Sequence, residues 1–168
     1  LSGYADLMAR RVRFIGDAGE RIREDYLRIL RFFRFTAAYG EGPPDRPGLD
    51  ACVRERAGLA VLSGERMREE MLRLLAAPRG PELIGTTLDY GLLPQVLGLA
   101  PRPGLLARLS SLQAALGLAP DAVLRLAALA VEVPEDAERL CTRFRLSNEV
   151  TARLVRASMR APAIDPNA

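Results

Sequence analysis

The chain has 168 residues and a formal net charge of +3 at pH 7, and aromatic residues make up only 5% of it. It contains no histidine, which excludes a Ser-His-Asp or Cys-His catalytic site and any histidine-bearing zinc site within this sequence. Because tryptophan is absent and leucine and alanine must supply the core, the composition favours packed helices over sheets. We therefore predict an all-α fold.

The positive charge is concentrated at one end of the chain. All 24 basic residues are arginines, and residues 1–40 hold eight arginines against five acids, which accounts for the whole net charge of +3. A phosphate-bearing ligand would favour that end. Cys52 and Cys141 are far apart and indicate buried thiols rather than a disulfide. The longest apolar run, 126–131, is too short for a membrane span and no signal peptide is evident, so we predict a cytoplasmic protein.

Residues 1–16 are predicted to be the end of a preceding domain. Residues 11–15 alternate between polar and apolar side chains, the period of a short strand, and Gly16 with Asp17 ends the pattern. The sequence offers this strand no partner, so we expect it to be frayed or docked on the next helix.

The next stretch, from Asp17 to Tyr39, has the periodicity of one long helix that Gly40 closes. Its core stripe consists of Ile22, Tyr26, Ile29, Leu30, Phe33 and Ala37. A second line mixes an acid, arginines and aromatics: Arg21, Asp25, Arg28, Phe32, Phe35 and Tyr39.

Asp25 and Arg28 are the most informative members of that second line. At a spacing of i, i+3, a carboxylate acceptor and a guanidinium donor are offered side by side on one helix face. Such a pair complements the pairing edges of cytosine and adenine, which present an amino donor beside a ring-nitrogen acceptor, and mismatches guanine and uracil. The alternative from the residues alone is a surface ion pair of about 0.2–0.5 kcal/mol.

The remaining sequence predicts further helices. A short one covers about 49–58, and Ser63 caps another over 64–77 whose Met67, Met71, Leu74 and Leu75 face the core. The prolines at 78 and 81 mark a boundary, after which we predict helices at about 81–90, 92–98, 104–117, 120–132, 134–145 and 147–160.

Residues 139–160 contain six arginines (139, 143, 145, 153, 156 and 160) and one acid, Glu149. This patch suits an RNA backbone, which requires charge but no base-specific chemistry. Its alternative is a solvated face whose charge is offset by nearby acids.

Three ordered motifs resemble the class II nucleotidyltransferases, the CCA-adding tRNA nucleotidyltransferases and bacterial poly(A) polymerases. The first is Gly3-Tyr-Ala-Asp6-Leu7 with Arg13-Phe-Ile-Gly16-Asp17, similar to the junction of that family's catalytic head and neck. The second is Glu24-Asp-Tyr-Leu-Arg28, continued by Ile29-Leu-Arg31-Phe-Phe-Arg34-Phe35, which resembles the neck-helix signature. The third is Leu62-Ser-Gly-Glu65-Arg66-Met-Arg-Glu-Glu70, which resembles the next neck motif.

The resemblance implies a domain plan of head remnant (1–16), neck (17–78) and body (79–168). It implies that Asp25 and Arg28 select CTP and ATP over other nucleotides. It also implies that Arg31 and Arg34 belong to the nucleotide site. For Glu65 and Arg66, which match the third motif, we expect a supporting role in which a carboxylate near a helix N-terminus orients a neck arginine; the alternative is an exposed acid and arginine on a solvated face. For the body, the candidate RNA contacts are Arg143, Arg145, Arg153 and Arg156, with the solvated face as their alternative.

The family's two-metal chemistry requires paired carboxylates that hold Mg²⁺ against the triphosphate. The family supplies them from an Asp-x-Asp pair in the head, and no two aspartates in this sequence are two positions apart. We therefore interpret the chain as the neck and most of the body of an enzyme that adds CCA or A to tRNA or other RNA 3′ ends, inactive by itself. The alternatives are a stand-alone, non-catalytic helical RNA-binding or scaffolding module, and a purely structural helical domain.

Overall fold

The structure is a computed structural model that describes residues 2–160, with side chains described for residues 3–159. Within that range the chain is helical and contains no strand, which confirms the all-α prediction. The helices are α1 (Ser2–Met8), α2 (Ala18–Glu24), α3 (Leu27–Tyr39), α4 (Arg46–Arg54), a 3-10 helix (Arg56–Val61), α5 (Gly64–Ala76), α6 (Gly80–Asp89), α7 (Leu93–Leu97), α8 (Pro103–Ala115), α9 (Ala122–Ala130), α10 (Pro134–Phe144) and α11 (Asn148–Arg160). The end of the predicted body, 161–168, and the side chain of Arg160 lie outside the described residues.

The N-terminal residues differ from the prediction in two ways. Residues 2–8 form a helix, and residues 11–15 are irregular rather than a strand, since no described segment pairs with them. The segment is nevertheless docked on the neck. The Phe14 ring stacks on Phe32 with 5.4 Å between ring centroids, and the Glu41 N–H donates to the carbonyl of Arg10 at 3.0 Å.

The predicted long neck helix is in fact two helices, α2 and α3, separated at Asp25 and Tyr26. Asp25 has extended backbone angles (φ −157°, ψ 103°), and its carboxylate accepts the N–H of Leu27 at 3.1 Å, which satisfies one of the free donors at the start of α3. The Tyr26 ring occupies the space that a side chain at Gly58 would need, because a Cβ there would lie 1.9 Å from the ring. Glycine at position 58 therefore allows the 3-10 helix to pack against the break.

The apolar stripe of the neck is confirmed despite the break. Ile22, Ile29, Leu30, Phe33 and Ala37 are buried, and Tyr26 packs against the same core. The helix start is also as predicted, since the Asp17 carboxylate accepts the Glu20 N–H at 2.7 Å and caps α2.

Helices α4 and α5 follow the long loop after α3. Helix α4 begins at Arg46 rather than near Leu49, because the Asp45 carboxylate caps it by accepting the Gly48 N–H at 3.1 Å. Ser63 caps α5 as predicted. The four predicted core residues of α5, Met67, Met71, Leu74 and Leu75, are all at most 1% exposed.

Helix α5 joins the neck to the body, since it packs against α3 and also against α9 and α10. The buried guanidinium of Arg125 on α9 reinforces this junction by donating to the carbonyl of Leu75 at 2.7 Å, near the end of α5. The predicted body core residues Leu140, Phe144, Leu146 and Leu154 are buried in the same core. The boundary near residue 78 remains a prediction, because neck and body share one continuous hydrophobic core.

Candidate functional site

A groove of about 500 Å³ lies between residues 12–15 and the exposed side of α2 and α3. We call it the arginine groove. Its lining combines cations with aromatic and aliphatic side chains: Val12, Arg13, Phe14, Ile15, Arg21, Arg28, Arg31, Phe32 and Phe35. Such a lining offers hydrogen-bond donors for anionic oxygens beside flat apolar surfaces.

Arg28 is partly exposed and lines this groove. Its Nη1 donates to the carbonyl of Arg21 at 2.7 Å and to the carboxylate of Glu24 at 2.5 Å. The described hydrogen bonds use neither its Nη2 nor its Nε. The Arg28 guanidinium holds the pKa of Glu24 below its ordinary value, with burial opposing and Arg21 assisting. One edge of Arg28 is therefore fixed by α2, and the other edge remains available to a ligand.

Asp25 lies at the break between α2 and α3 and is held from two sides. Besides the Leu27 N–H, its two carboxylate oxygens accept Arg66 Nη2 at 3.0 and 2.9 Å. Partial burial raises the pKa of Asp25, but the Leu27 and Arg66 hydrogen bonds outweigh it, so the pKa lies below its ordinary value. The Asp25 side chain is ionised at neutral pH.

No described ion pair or hydrogen bond joins the side chains of Asp25 and Arg28, which contradicts the alternative of a surface ion pair between them. The break rotates Asp25 away from the face it would occupy in a continuous helix, and Asp25 is not among the groove-lining residues. Arg31 links the two positions, because it lines the groove and its Nη1 lies 3.9 Å from Asp25 Oδ2.

Glu70 on α5 anchors two of the neck arginines. It is 4% exposed, and its Oε1 accepts Arg31 Nε at 3.1 Å while its Oε2 lies 2.6 Å from Arg34 Nε. The Arg34 contact is an ion pair rather than a hydrogen bond, because the N–H does not point at the oxygen. Arg34 also lies over the Phe35 ring, with its Cζ 4.1 Å from the ring centroid.

Glu70 is a residue to which the sequence analysis assigned no role. The available signal was its position on α5, because an acid at 70 falls between Met67 and Met71 on the buried face of an otherwise amphipathic helix. Of the two predicted supporting residues, Arg66 bonds to Asp25, whereas Glu65 is exposed and makes no side-chain bond to a described residue. The support is therefore the reverse of the expected pattern: an α5 arginine holds the neck acid.

The four arginines predicted to contact RNA in the body do not form one free patch. Arg143 is partly buried, and it donates to the carbonyls of Val96 at 3.1 Å and Gln95 at 2.8 Å. Arg153 pairs with the carboxylate of Asp121 at 2.5 Å. Arg145 and Arg156 are exposed, and neither side chain is bonded to a described residue. The structure thus separates two engaged arginines from two that face solvent.

In the part of the chain that the structure describes, no group of three or more acidic, histidine or cysteine side chains is arranged to hold a metal ion. The described helices also include none that is both long and apolar enough to cross a bilayer.

Comparison with known proteins identifies relatives of one kind, although no family model matches the chain. The mitochondrial CCA tRNA nucleotidyltransferase 1 of Mus musculus is 38% identical over 150 residues, which cover 88% of this chain and 34% of the mouse protein. The CCA-adding enzyme of Geobacillus kaustophilus is 36% identical over 104 residues, covering 62% of this chain and 26% of that enzyme. The poly(A) polymerase I of Haemophilus influenzae is 36% identical over 98 residues, which cover 56% of this chain and 21% of that polymerase. This chain thus spans about a third or less of the length of these relatives.

Proposed function

Since the chain belongs to the family of CCA-adding tRNA nucleotidyltransferases and bacterial poly(A) polymerases, we propose that it is the neck and body portion of such an enzyme. In this proposal it selects CTP and ATP and positions the 3′ end of tRNA or another RNA. In this proposal the catalytic carboxylates and Mg²⁺ belong to the enzyme's head, since no two aspartates of this sequence are two positions apart. The chain alone is therefore inactive, and its cytoplasmic location stays a prediction.

The observation that carries the proposal is the hydrogen-bonding capacity left on Asp25. A carboxylate has about four acceptor positions. Leu27 and Arg66 occupy both positions of Oδ1, and Arg66 occupies one of Oδ2. One position on Oδ2 remains, and it accepts the amino hydrogen of cytosine or adenine but repels the carbonyl oxygen that guanine or uracil presents there.

Arg28 supplies the complementary donor in this proposal. Its Nη2 and Nε N–H groups suit the ring nitrogen that lies beside the amino group in both cytosine and adenine. Because the two bases share this edge, one protein site serves both CTP and ATP. In this proposal the Arg28 side chain turns toward the base that Asp25 binds, and only its Nη1 is bonded to Arg21 and Glu24.

The other arginines divide between ligand contact and support. We propose that Arg31 contacts the nucleotide, because it lines the arginine groove and is 43% exposed. Arg34 is 17% exposed and lies against Glu70. In this proposal it does not contact the nucleotide but holds Glu70 and Phe35 in position. Arg66 keeps Asp25 ionised and oriented, so in this proposal the support runs from an α5 arginine to the neck acid.

In this proposal the exposed arginines of the body contact the RNA and position it. Arg145 and Arg156 are the two predicted contacts whose guanidinium groups face solvent, so they suit phosphate contacts. Arg143 and Arg153 are committed to Val96, Gln95 and Asp121, and moving them to RNA would break those bonds.

The test is nucleotide selection in a full-length enzyme that contains this segment. Asp25→Ala should lower the preference for CTP over UTP, and for ATP over GTP, by about tenfold or more, because a base-reading hydrogen-bond pair contributes about 1–3 kcal/mol of discrimination. The matched control is Glu69→Ala, an exposed acid on α5. Unchanged selectivity in the Asp25 variant would refute the proposal. RNA binding that depends on salt but not on Asp25, in a chain made by itself, would favour the stand-alone module.

A further inference from the structure

Two aromatic rings form an exposed pair directly beside the arginine groove. Phe35 and Tyr39 are one helical turn apart on α3, and their rings are stacked with 6.0 Å between centroids and 29° between planes. Tyr39 is 66% exposed and Phe35 is 38% exposed. The two rings therefore form an exposed aromatic surface on a helix whose opposite face is buried.

These rings line a second cavity of about 500 Å³, which we call the tyrosine groove. Its other lining residues include Asp6, Arg11, Arg13 and Ile15. The Asp6 carboxylate is neutralised by Arg13, whose Nε lies 2.6 Å from Oδ2. Arg11 is exposed, and no described ion pair engages its side chain. The groove therefore offers aromatic faces beside an uncommitted cation.

Nucleobases of single-stranded RNA are the ligand class that fits this combination. Unpaired bases stack on aromatic side chains, while nearby arginines hold the backbone phosphates. The Arg34 guanidinium lies over the Phe35 ring and holds it in place beside the groove. An apolar partner would leave Arg11 without a counter-charge, whereas the RNA backbone supplies one.

The position of the tyrosine groove identifies which base it would hold. Residues 12–15 and Phe35 line both grooves, so the two cavities adjoin one another. In nucleotide addition, the RNA 3′ hydroxyl must come within about 3–3.5 Å of the incoming nucleotide's reacting phosphorus. We propose that Phe35 and Tyr39 stack an unpaired base near the RNA 3′ end while Arg11 contacts its phosphate. This inference rests on the proposed function, since it takes the arginine groove as the nucleotide site.

The test uses this chain and a short single-stranded RNA with 2-aminopurine at its 3′ end, because the fluorescence of this base falls when it stacks. The unsubstituted chain should quench the probe. Tyr39→Leu and Phe35→Leu should each reduce the quenching at saturation at least twofold, and leucine preserves helix propensity at these exposed positions. Tyr90→Leu, at the end of α6, is the matched control and should quench like the unsubstituted chain.

The inference is overturned if the unsubstituted chain does not quench the probe, or if Tyr39→Leu or Phe35→Leu quenches it fully. CTP binding, measured on the same samples, separates this inference from the proposed function. Preference for CTP over UTP without quenching would refute the stacking site alone, and quenching without nucleotide preference would refute the assignment of Asp25 and Arg28 instead. A 2-aminopurine held in a duplex should not respond to the chain, and a response there would also contradict base stacking.

Discussion

The neck and the body both contain arginine clusters, but the two clusters are satisfied in different ways. In the neck, Arg31, Arg34 and Asp25 pair with Glu70 and Arg66 on α5, some forty residues away in sequence, and donors on Arg28 still face a groove. In the body, Arg143 and Arg153 bond to a helix end and a surface acid. The comparison shows that contacts with other elements decide which arginines of an arginine-rich stretch are committed to the fold and which keep donors free.

We expect the largest loss of stability when the buried acid Glu70 is removed from the neck network, by which we mean the ion pairs among Asp25, Arg31, Arg34, Arg66 and Glu70. Glu70→Ala leaves Arg31 and Arg34 without their carboxylate, and we expect it to lower the free energy of unfolding by about 3 kcal/mol, the scale for breaking a buried ion pair. Urea denaturation at pH 7 measures this. Glu69→Ala, the exposed neighbour, should change stability by no more than about 0.5 kcal/mol. Equal effects of the two variants would mean that the network is not an organising feature of the neck.

The body cluster yields a second, smaller effect. Arg143→Ala removes the donor to the carbonyls of Gln95 and Val96, and we expect a loss of about 2 kcal/mol in the free energy of unfolding. The control is Arg139→Ala, since Arg139 is exposed and pairs with Asp136 on its own helix. This variant should barely change the free energy of unfolding. If Arg143→Ala weakened RNA binding without reducing stability, its assignment as a structural arginine would be wrong.

The sequence predicted the local features of both regions well. Helix starts at Asp17 and Ser63 and the buried stripes of α3 and α5 follow from capping chemistry and a 3.6-residue period, which depend on neighbouring residues only. The sequence does not reveal the break at Asp25, because the apolar period continues across it without proline or glycine and its contacts, Arg66 on Asp25 and Tyr26 against Gly58, involve residues distant in sequence. Glu70 was missed for a related reason, since its partners lie 39 and 36 positions earlier.

The charge on Asp25 makes the neck sensitive to acid. Because its folded pKa is lowered, the ionised carboxylate stabilises the fold above the unfolded pKa of about 3.9, and this contribution disappears as the pH falls through the folded value. Asp25→Asn should therefore cost about 1 kcal/mol at pH 7 and progressively less below pH 4. Urea denaturation across this pH range measures the difference between variant and parent. Asp50→Asn, in an exposed pair with Arg46, serves as control, and a difference for Asp25→Asn that does not change with pH would contradict the account.

The smallest expected effect is on the free arginines of the body. Arg156→Ala should leave the free energy of unfolding within about 0.5 kcal/mol of the parent, because no described group bonds to this side chain. If Arg156 contacts an RNA phosphate, the same variant should weaken RNA binding uniformly across sequences and reduce the salt slope by about one. RNA affinities at several salt concentrations measure both quantities. An unchanged slope of affinity against salt concentration would mean that Arg156 does not contact an RNA phosphate.

The central claim is that the ionised Asp25 and the free donor edge of Arg28 distinguish an amino group from a carbonyl on the base. The most direct measurement is the ratio of dissociation constants of CTP and UTP for this chain, since these nucleotides differ only in the pairing edge. The account predicts that CTP binds about tenfold or more tightly than UTP, and that Asp25→Asn abolishes this preference while Arg23→Ala, an exposed arginine paired with Glu55, preserves it. Equal affinities for CTP and UTP in the unsubstituted chain would contradict it.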